Sequence, residues 1–222
     1  MIKRFFAMSV LAAVALLPAT SFASTAGWEF GSVGTQSTDG AWNFGEVFTV
    51  NQNIMVNFLG YYNPTALANV ATDLSAADTT NPTLVGSHEV ALYDSAGNQL
   101  ADTIIDNSSA FATTHWRYNP VAPVELFAGQ TYVVQGLSGT QVYAYNDGGF
   151  TTFAPITILG NNWVLENTMS FNGTSLKNDV TDGYWGANFG FDPVTTPEPG
   201  SWMMIGTGLL GLAGLLRRKR SA

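Results

Sequence analysis

Short runs of alternating apolar and polar side chains fill the stretch between residues 24 and 194. In one of them Val90 and Leu92 point to one side of a strand, while Glu89 and Ala91 point to the other. No window in this stretch sustains the 3.6-residue period of an amphipathic helix. The predicted strands are 28–33, 42–50, 54–62, 88–93, 99–105, 113–118, 131–137, 141–145, 153–158, 162–171 and 184–191.

Turn-forming residues separate these runs, with glycine beside asparagine or aspartate at 94–98, 146–149 and 172–173. Many short strands joined by tight turns are typical of two antiparallel sheets packed face to face. The sequence therefore predicts an all-β domain over 24–194, an antiparallel β-sandwich of the jelly-roll or immunoglobulin-like kind. The chain has no cysteine, which excludes a disulfide scaffold, a thiolate zinc site and a cysteine nucleophile.

The charge of the body is strongly one-sided. Residues 24–196 contain fifteen aspartates and glutamates, but only two basic residues, Arg117 and Lys177. Such a surface repels phosphate backbones and offers no basic patch, so we expect no nucleic-acid partner.

The first 23 residues have the three parts of a secretory signal peptide. Lys3 and Arg4 supply the positive start, 5–17 form an apolar helix, and Pro18 precedes a small-x-small cleavage site at 21–23. We therefore expect a signal helix at 1–23 and an exported body beginning at residue 24. The alternative is an uncleaved N-terminal anchor, for which the apolar run is short.

The segment 195–222 also has three parts. A spacer with Pro197, Glu198 and Pro199 precedes an uncharged apolar run at 202–216. As a helix this run is about 22 Å long, against roughly 30 Å of hydrocarbon in a bilayer, so it crosses only marginally as a transmembrane helix. A basic stop-transfer cluster follows and keeps that end cytoplasmic and the body outside. Its members are Arg217, Arg218, Lys219 and Arg220.

This arrangement of Pro197-Glu198-Pro199, a glycine-rich apolar helix and a basic end resembles the C-terminal sorting signal of PEP-CTERM proteins. The resemblance implies a Gram-negative bacterium that makes exopolysaccharide biofilms, and processing by an exosortase, a membrane transpeptidase. The precursor would stay transiently in the inner membrane before reaching the cell surface or extracellular matrix. The alternative is an ordinary single-span anchor.

The body resembles an uncharacterised family of bacterial surface β-sandwich domains. The resemblance rests on a hairpin motif at 88–97, on Trp116-Arg117-Tyr118, and on a segment with Leu126, Gly129, Tyr132 and Val134. This resemblance implies a fold and supplies no catalytic residues.

Catalytic constellations are weak in this sequence. The two histidines, His88 and His115, come without a Gly-x-Ser-x-Gly nucleophile elbow. Carboxylate pairs such as Asp102 with Asp106 are expected by chance among fifteen acidic residues. We therefore predict no catalytic residues and a non-enzymatic protein, with a glycan-processing enzyme as an alternative.

Loop aspartates are the candidates for a metal. Asp147, Asp179 and Asp182 lie beside asparagine or glycine, and their oxygens suit a structural calcium ion outside the cell. Their spacing is not that of an EF-hand loop. The alternative is that they only form turns, with no cofactor bound.

Aromatic side chains are the candidates for binding polysaccharide, because rings stack on the apolar faces of sugars. The alternative is that they fill the core. Two functions are therefore considered. One is adhesion or a structural role in an exopolysaccharide layer, and the other is that of a dedicated carbohydrate-binding module. The candidate rings are Trp42, Trp116, Tyr143, Tyr145, Trp163 and Trp185.

Overall fold

The computed structural model describes residues 24–32, 35–37, 40–63, 84, 86–111, 115–139, 141, 143–145, 148–178 and 183–194. Within these ranges the chain forms fifteen β-strands and no helix. The strands are β1 Thr25–Ala26, β2 Trp28–Glu29, β3 Thr35–Ser37, β4 Trp42–Val50, β5 Ile54–Tyr62, β6 His88–Asp94, β7 Gln99–Ile105, β8 Ala110–Phe111, β9 Trp116–Leu126, β10 Thr131–Leu137, β11 Tyr143–Tyr145, β12 Thr151–Thr152, β13 Ile156–Leu165, β14 Tyr184–Trp185 and β15 Ala187–Pro193.

Two five-stranded antiparallel sheets form the sandwich, which confirms the predicted fold class. The strand orders are β1-β15-β5-β9-β8 and β13-β4-β10-β6-β7. Two small sheets, β14-β11-β3 and β12-β2, lie beside them. The predicted signal helix at 1–23 and transmembrane helix at 202–216 lie outside the described residues. No helix of the described part is long and apolar enough to cross a bilayer.

The core lies between the two large sheets and follows from the alternation of side chains along each strand. Phe48 of β4 and Val134 of β10 enter it from one sheet, and Leu59 of β5 and Phe189 of β15 enter it from the other. All four are fully buried. Burying a side chain of this size contributes about 1.5–3 kcal/mol, so this interface is the main source of stability.

Strand β13 differs from its prediction. Two strands were expected at 153–158 and 162–171, but one strand runs through Gly160 and ends at Leu165. The register of the pairing with β4 shifts between Ile158 and Gly160, and Gly160 has a φ of 151°. The ladder continues on both sides of this shift, as it does around a β-bulge. The segment 166–178 is therefore not a strand beyond this point.

Strand β9 is longer than predicted, because it continues to Leu126 through Pro120 and Pro123. The register with β5 shifts between Val56 and Phe58, opposite these prolines. A proline cannot donate a ladder hydrogen bond, and a bulge is where a sheet tolerates one.

The segment 166–178 covers the outer face of β4 and β10 with side-chain amides. Asn43 donates to Glu166 Oε1 and to the Ser170 carbonyl, both at 2.8 Å. Gln135 donates to Asn43 Oδ1 at 2.9 Å and accepts from the Asn172 backbone amide at 3.1 Å. These buried amides are paired in both directions, so they fix the segment against the sheet.

Candidate functional site

Four aromatic rings lie one on another where β4 begins, beside the small sheet of β3, β11 and β14. They are Trp42, Phe44, Tyr184 and Tyr145, named here the aromatic stack. Neighbouring ring centroids are 6.2, 5.7 and 5.4 Å apart in that order, with interplanar angles of 27°, 3° and 29°. Phe44 is buried and the other three rings are half-buried, so the stack leads from the core to the surface.

Strand pairing sets the position of these rings. Tyr184 lies directly opposite Tyr145 across β14 and β11. Trp163 of β13 lies directly opposite Phe44 of β4. Directly opposed residues in an antiparallel pair project to the same side, about 4.5–5.5 Å apart, which brings all of these rings together.

Trp163 flanks the stack, with its ring centroid 4.8 Å from that of Tyr184. The ammonium of Lys177 lies 5.2 Å from the Trp163 ring centroid and donates a hydrogen bond to the Trp163 carbonyl oxygen. Lys177 is exposed and Trp163 is half-buried. This cation–π contact covers part of the Trp163 ring and places a positive charge at the margin of the stack.

Buried polar groups lie behind the stack. Glu46 and Asn161 are directly opposed across β4 and β13, and both are fully buried. Glu46 Oε1 accepts a hydrogen bond from the Gly186 amide at 3.2 Å. Glu46 Oε2, the Tyr61 hydroxyl and both amide atoms of Asn161 have no hydrogen-bond partner in the structure.

Burial is the main cause of the pKa shifts of Glu46 and Tyr61. Desolvation raises the pKa of the Glu46 carboxyl well above its ordinary value, and backbone amides, first that of Gly186, oppose the rise only in part. Burial also raises the pKa of the Tyr61 hydroxyl, and the Glu46 charge adds to that rise. The protonated, neutral form of Glu46 is therefore the form that the folded core favours.

The structure divides the six predicted sugar-stacking residues. Trp42, Tyr145 and Trp163 are half-buried, and they come together at the aromatic stack. Tyr143 also lies there, with its ring centroid 4.7 Å from that of Phe44, but only 3% of it is exposed.

The other two predicted rings belong to the core. Trp116 is 0% exposed and Trp185 is 1% exposed, and both pack against Phe30, at 5.2 and 6.0 Å between centroids. Neither ring can meet a ligand from solvent. They follow the alternative in which aromatic side chains fill the sandwich.

Sequence reasoning missed Tyr184, which contacts more rings of this cluster than any predicted residue. The signal was present in the alternation of a strand, because Tyr184 and Trp185 are neighbours and must project to opposite sides. Once Trp185 is assigned to the core, Tyr184 is assigned to the other face.

The predicted calcium ligands Asp147, Asp179 and Asp182 lie outside the described residues. Within the described ranges, no three histidine, aspartate or glutamate side chains are grouped so that they could hold a metal ion. The calcium site stays a prediction.

Both histidines are buried and held by contacts. His88 Nδ1 lies 2.9 Å from the Leu137 carbonyl, and its ring is stacked on Tyr61 with centroids 4.0 Å apart. His115 Nδ1 lies 2.6 Å from Glu29 Oε1, and the two side chains are 6% and 19% exposed. The His115–Glu29 pair joins the small strand β2 to the start of β9.

Asp102 and Asp106, the carboxylate pair considered from the sequence, make separate local contacts. Asp102 accepts a hydrogen bond from the Gln99 side chain at 2.9 Å. Asp106 accepts two from Ser108, and these bonds lower the pKa of its carboxyl. Each carboxylate thus bonds within its own strand or turn.

Comparison with known proteins identifies the tail. Residues 195–220 match the family model described as the PEP-CTERM protein-sorting motif. A search of curated proteins found no match to the chain. The motif, which includes Pro197, Glu198 and Pro199, confirms the sorting signal predicted from the sequence. It implies export, processing by an exosortase at the membrane and sorting to the cell surface.

Proposed function

We propose that the body is a non-enzymatic adhesive or structural protein of an exopolysaccharide layer, and that it binds polysaccharide at the aromatic stack. The observation that carries this proposal is the grouping of Trp42, Tyr145, Trp163 and Tyr184, four half-buried rings on one surface. Aromatic rings offer flat apolar area to the C–H faces of sugars at low conformational cost. The sorting motif supports the proposal, because it implies export to the cell surface, where a polysaccharide-binding protein would act.

The charge of the body indicates the class of polymer. The body has fifteen aspartates and glutamates against two basic residues, and an excess of negative charge of this kind repels an anionic chain. Arg117 is fully buried, and Lys177 lies on the Trp163 ring. The ligand is therefore a neutral polysaccharide, held by ring stacking and by polar side chains at the margin.

The test is binding of residues 24–194 to cellulose, curdlan and galactomannan, three neutral polysaccharides, with anionic alginate as the comparison. We expect Tyr145→Ala and Trp163→Ala to weaken binding to the best neutral polymer about tenfold each, the effect of losing roughly 1.4 kcal/mol of ring contact. Trp163→Phe keeps a ring and should lose less.

Phe153→Ala is the matched control, because Phe153 is an exposed ring outside the stack, with 38% of its surface accessible. It should bind as the wild type does. The proposal fails if both stack variants bind like the wild type, if Phe153→Ala loses as much as they do, or if alginate is the preferred polymer.

A further inference from the structure

A second concave surface lies at the opposite end of the sandwich, between the β6–β7 turn and the β9–β10 turn. It is an open cavity of about 380 Å³, a size within the range of small-molecule sites. Its most prominent side chain is Phe127, which is 54% exposed. The cavity, named here the Phe127 pocket, is lined by Asp94, Ser95, Phe127, Gln130, Thr131 and Tyr132.

The turn that carries Phe127 is fixed by hydrogen bonds. The Phe127 amide donates to the Tyr132 hydroxyl at 2.8 Å. The Ala128 amide donates to Asn53 Oδ1 at 3.0 Å, and the Gly129 amide donates to the Val50 carbonyl at 2.8 Å. An exposed ring on an anchored turn loses little freedom on binding, which favours a role in recognition.

The polar groups around the ring suit hydroxyl ligands. Ser95 and Gln130 line the pocket with exposed side chains, and a hydroxyl and a side-chain amide can donate hydrogen bonds to a ligand there. Hydrogen bonds from Asn98 hold the pKa of Asp94 below its ordinary value, so Asp94 is a charged acceptor at neutral pH. One apolar ring with a donor and an acceptor beside it matches a sugar, which has an apolar face and hydroxyls at its rim.

Strand β4 spans the distance between the two surfaces. Trp42 of the aromatic stack is its first residue, and Val50, whose carbonyl anchors the β9–β10 turn, is its last. Eight residue steps at about 3.3 Å each separate them by about 26 Å. One polysaccharide chain can therefore occupy each end without contacting the other.

We propose that the Phe127 pocket is a second carbohydrate site, taking one neutral hexose unit, and that the body bridges two polysaccharide chains. This inference rests on the proposed function of the aromatic stack. Two sites on one rigid sandwich turn a binding protein into a crosslinker, which is a role that a single site cannot fill.

The test uses monomeric residues 24–194 and beads coated separately with cellulose, curdlan or galactomannan. The wild type should bind the beads and also aggregate them. Phe127→Ala should still bind through the aromatic stack, but should need at least tenfold more protein to aggregate the beads. Phe127→Tyr, which keeps the ring, and Phe153→Ala should aggregate them as the wild type does.

The outcomes separate this inference from the proposed function. If Phe127→Ala aggregates beads at the wild-type concentration, the second site is refuted and the aromatic stack is unaffected. If Phe127→Ala abolishes all binding and Tyr145→Ala changes neither binding nor aggregation, the pocket is the single site. That result overturns both bridging and the proposed role of the stack. Circular dichroism of each variant checks that the sheets are intact.

Discussion

Glu46 allows the electrostatics of the core to be tested with a change of one heavy atom, because glutamine has nearly the shape of glutamate and no charge. Glu46 Oε1 accepts the Gly186 amide, and the amide oxygen of a glutamine can accept the same bond. Glu46 Oε2 has no hydrogen-bond partner, so Glu46→Gln breaks no observed contact. Burial raises the pKa of this carboxyl in the folded state.

The raised pKa fixes the sign of the pH dependence. Below the pKa of the unfolded chain, about 4.3, the side chain is neutral in both states and costs nothing. Above it the unfolded chain ionises while the folded chain resists, so stability is lost as pH rises towards the folded pKa. The loss from this one group is up to about 1.4 kcal/mol per pH unit.

We therefore expect Glu46→Gln and the wild type to have similar free energies of unfolding at pH 4. The variant should become progressively more stable than the wild type as the pH rises above about 5, the range in which the unfolded chain ionises. Urea unfolding of residues 24–194 at several pH values, followed by tryptophan fluorescence, gives these free energies. Asp106→Asn is the control and should not reproduce the trend, because hydrogen bonds from Ser108 lower the pKa of the Asp106 carboxyl. Parallel pH curves for Glu46→Gln and the wild type would refute the reasoning.

Two further predictions concern the buried cation and the tail. Arg117 donates hydrogen bonds to the carbonyls of Ser109 and Asn107 at 2.6 and 3.1 Å. Arg117→Met should therefore lower the free energy of unfolding in urea by about 2 kcal/mol or more. Lys177→Met should lower it by less than about 1 kcal/mol. Equal losses of unfolding free energy in the two variants would contradict a structural role for the buried Arg117. Deleting 202–222 should abolish trimming near Pro199, seen by mass spectrometry of the mature C-terminus after cell fractionation. Equal release of both forms to the medium, with neither trimmed, would contradict a sorting role.

The local sequence pattern was sufficient to predict four strands of the two large sheets, namely three that have neighbours on both sides and the edge strand β7. The bounds of β4, β5, β7 and β10 are those predicted from alternation and turn residues. The segment 166–178 was not predictable in this way. Part of it alternates between polar Thr168 and Ser170 and apolar Met169 and Phe171, as a strand does. Asn43 and Gln135 nevertheless bind the segment as a covering loop, and Asn43 lies 127 residues from Ser170 in the sequence.

The candidate site was also predictable only in part. The residue types were predictable, since aromatic side chains in a β-sandwich either fill the core or lie at the surface, where they can bind a ligand. Which ring takes which role depends on how the sheets close, and Trp116 and Trp42 have no local difference that decides it. Trp116 faces the space between the two large sheets, whereas Trp42 begins a strand at the end of the sandwich, where its ring is only half-buried.

The rings at the surface depend on the buried groups behind them. Gly186 follows β14 directly, and a side-chain carbon at this position would lie 3.3 Å from both Phe44 and Tyr61. The absence of that carbon lets the chain approach closely enough for its amide to reach Glu46 Oε1. Tyr184, two residues earlier, lies parallel to Phe44, at 3° between ring planes. A surface that binds sugar by stacking, as we propose for the aromatic stack, needs rings that are already ordered, and the hydrogen bond from the Gly186 amide to Glu46 Oε1 ties the chain beside these rings to the buried core.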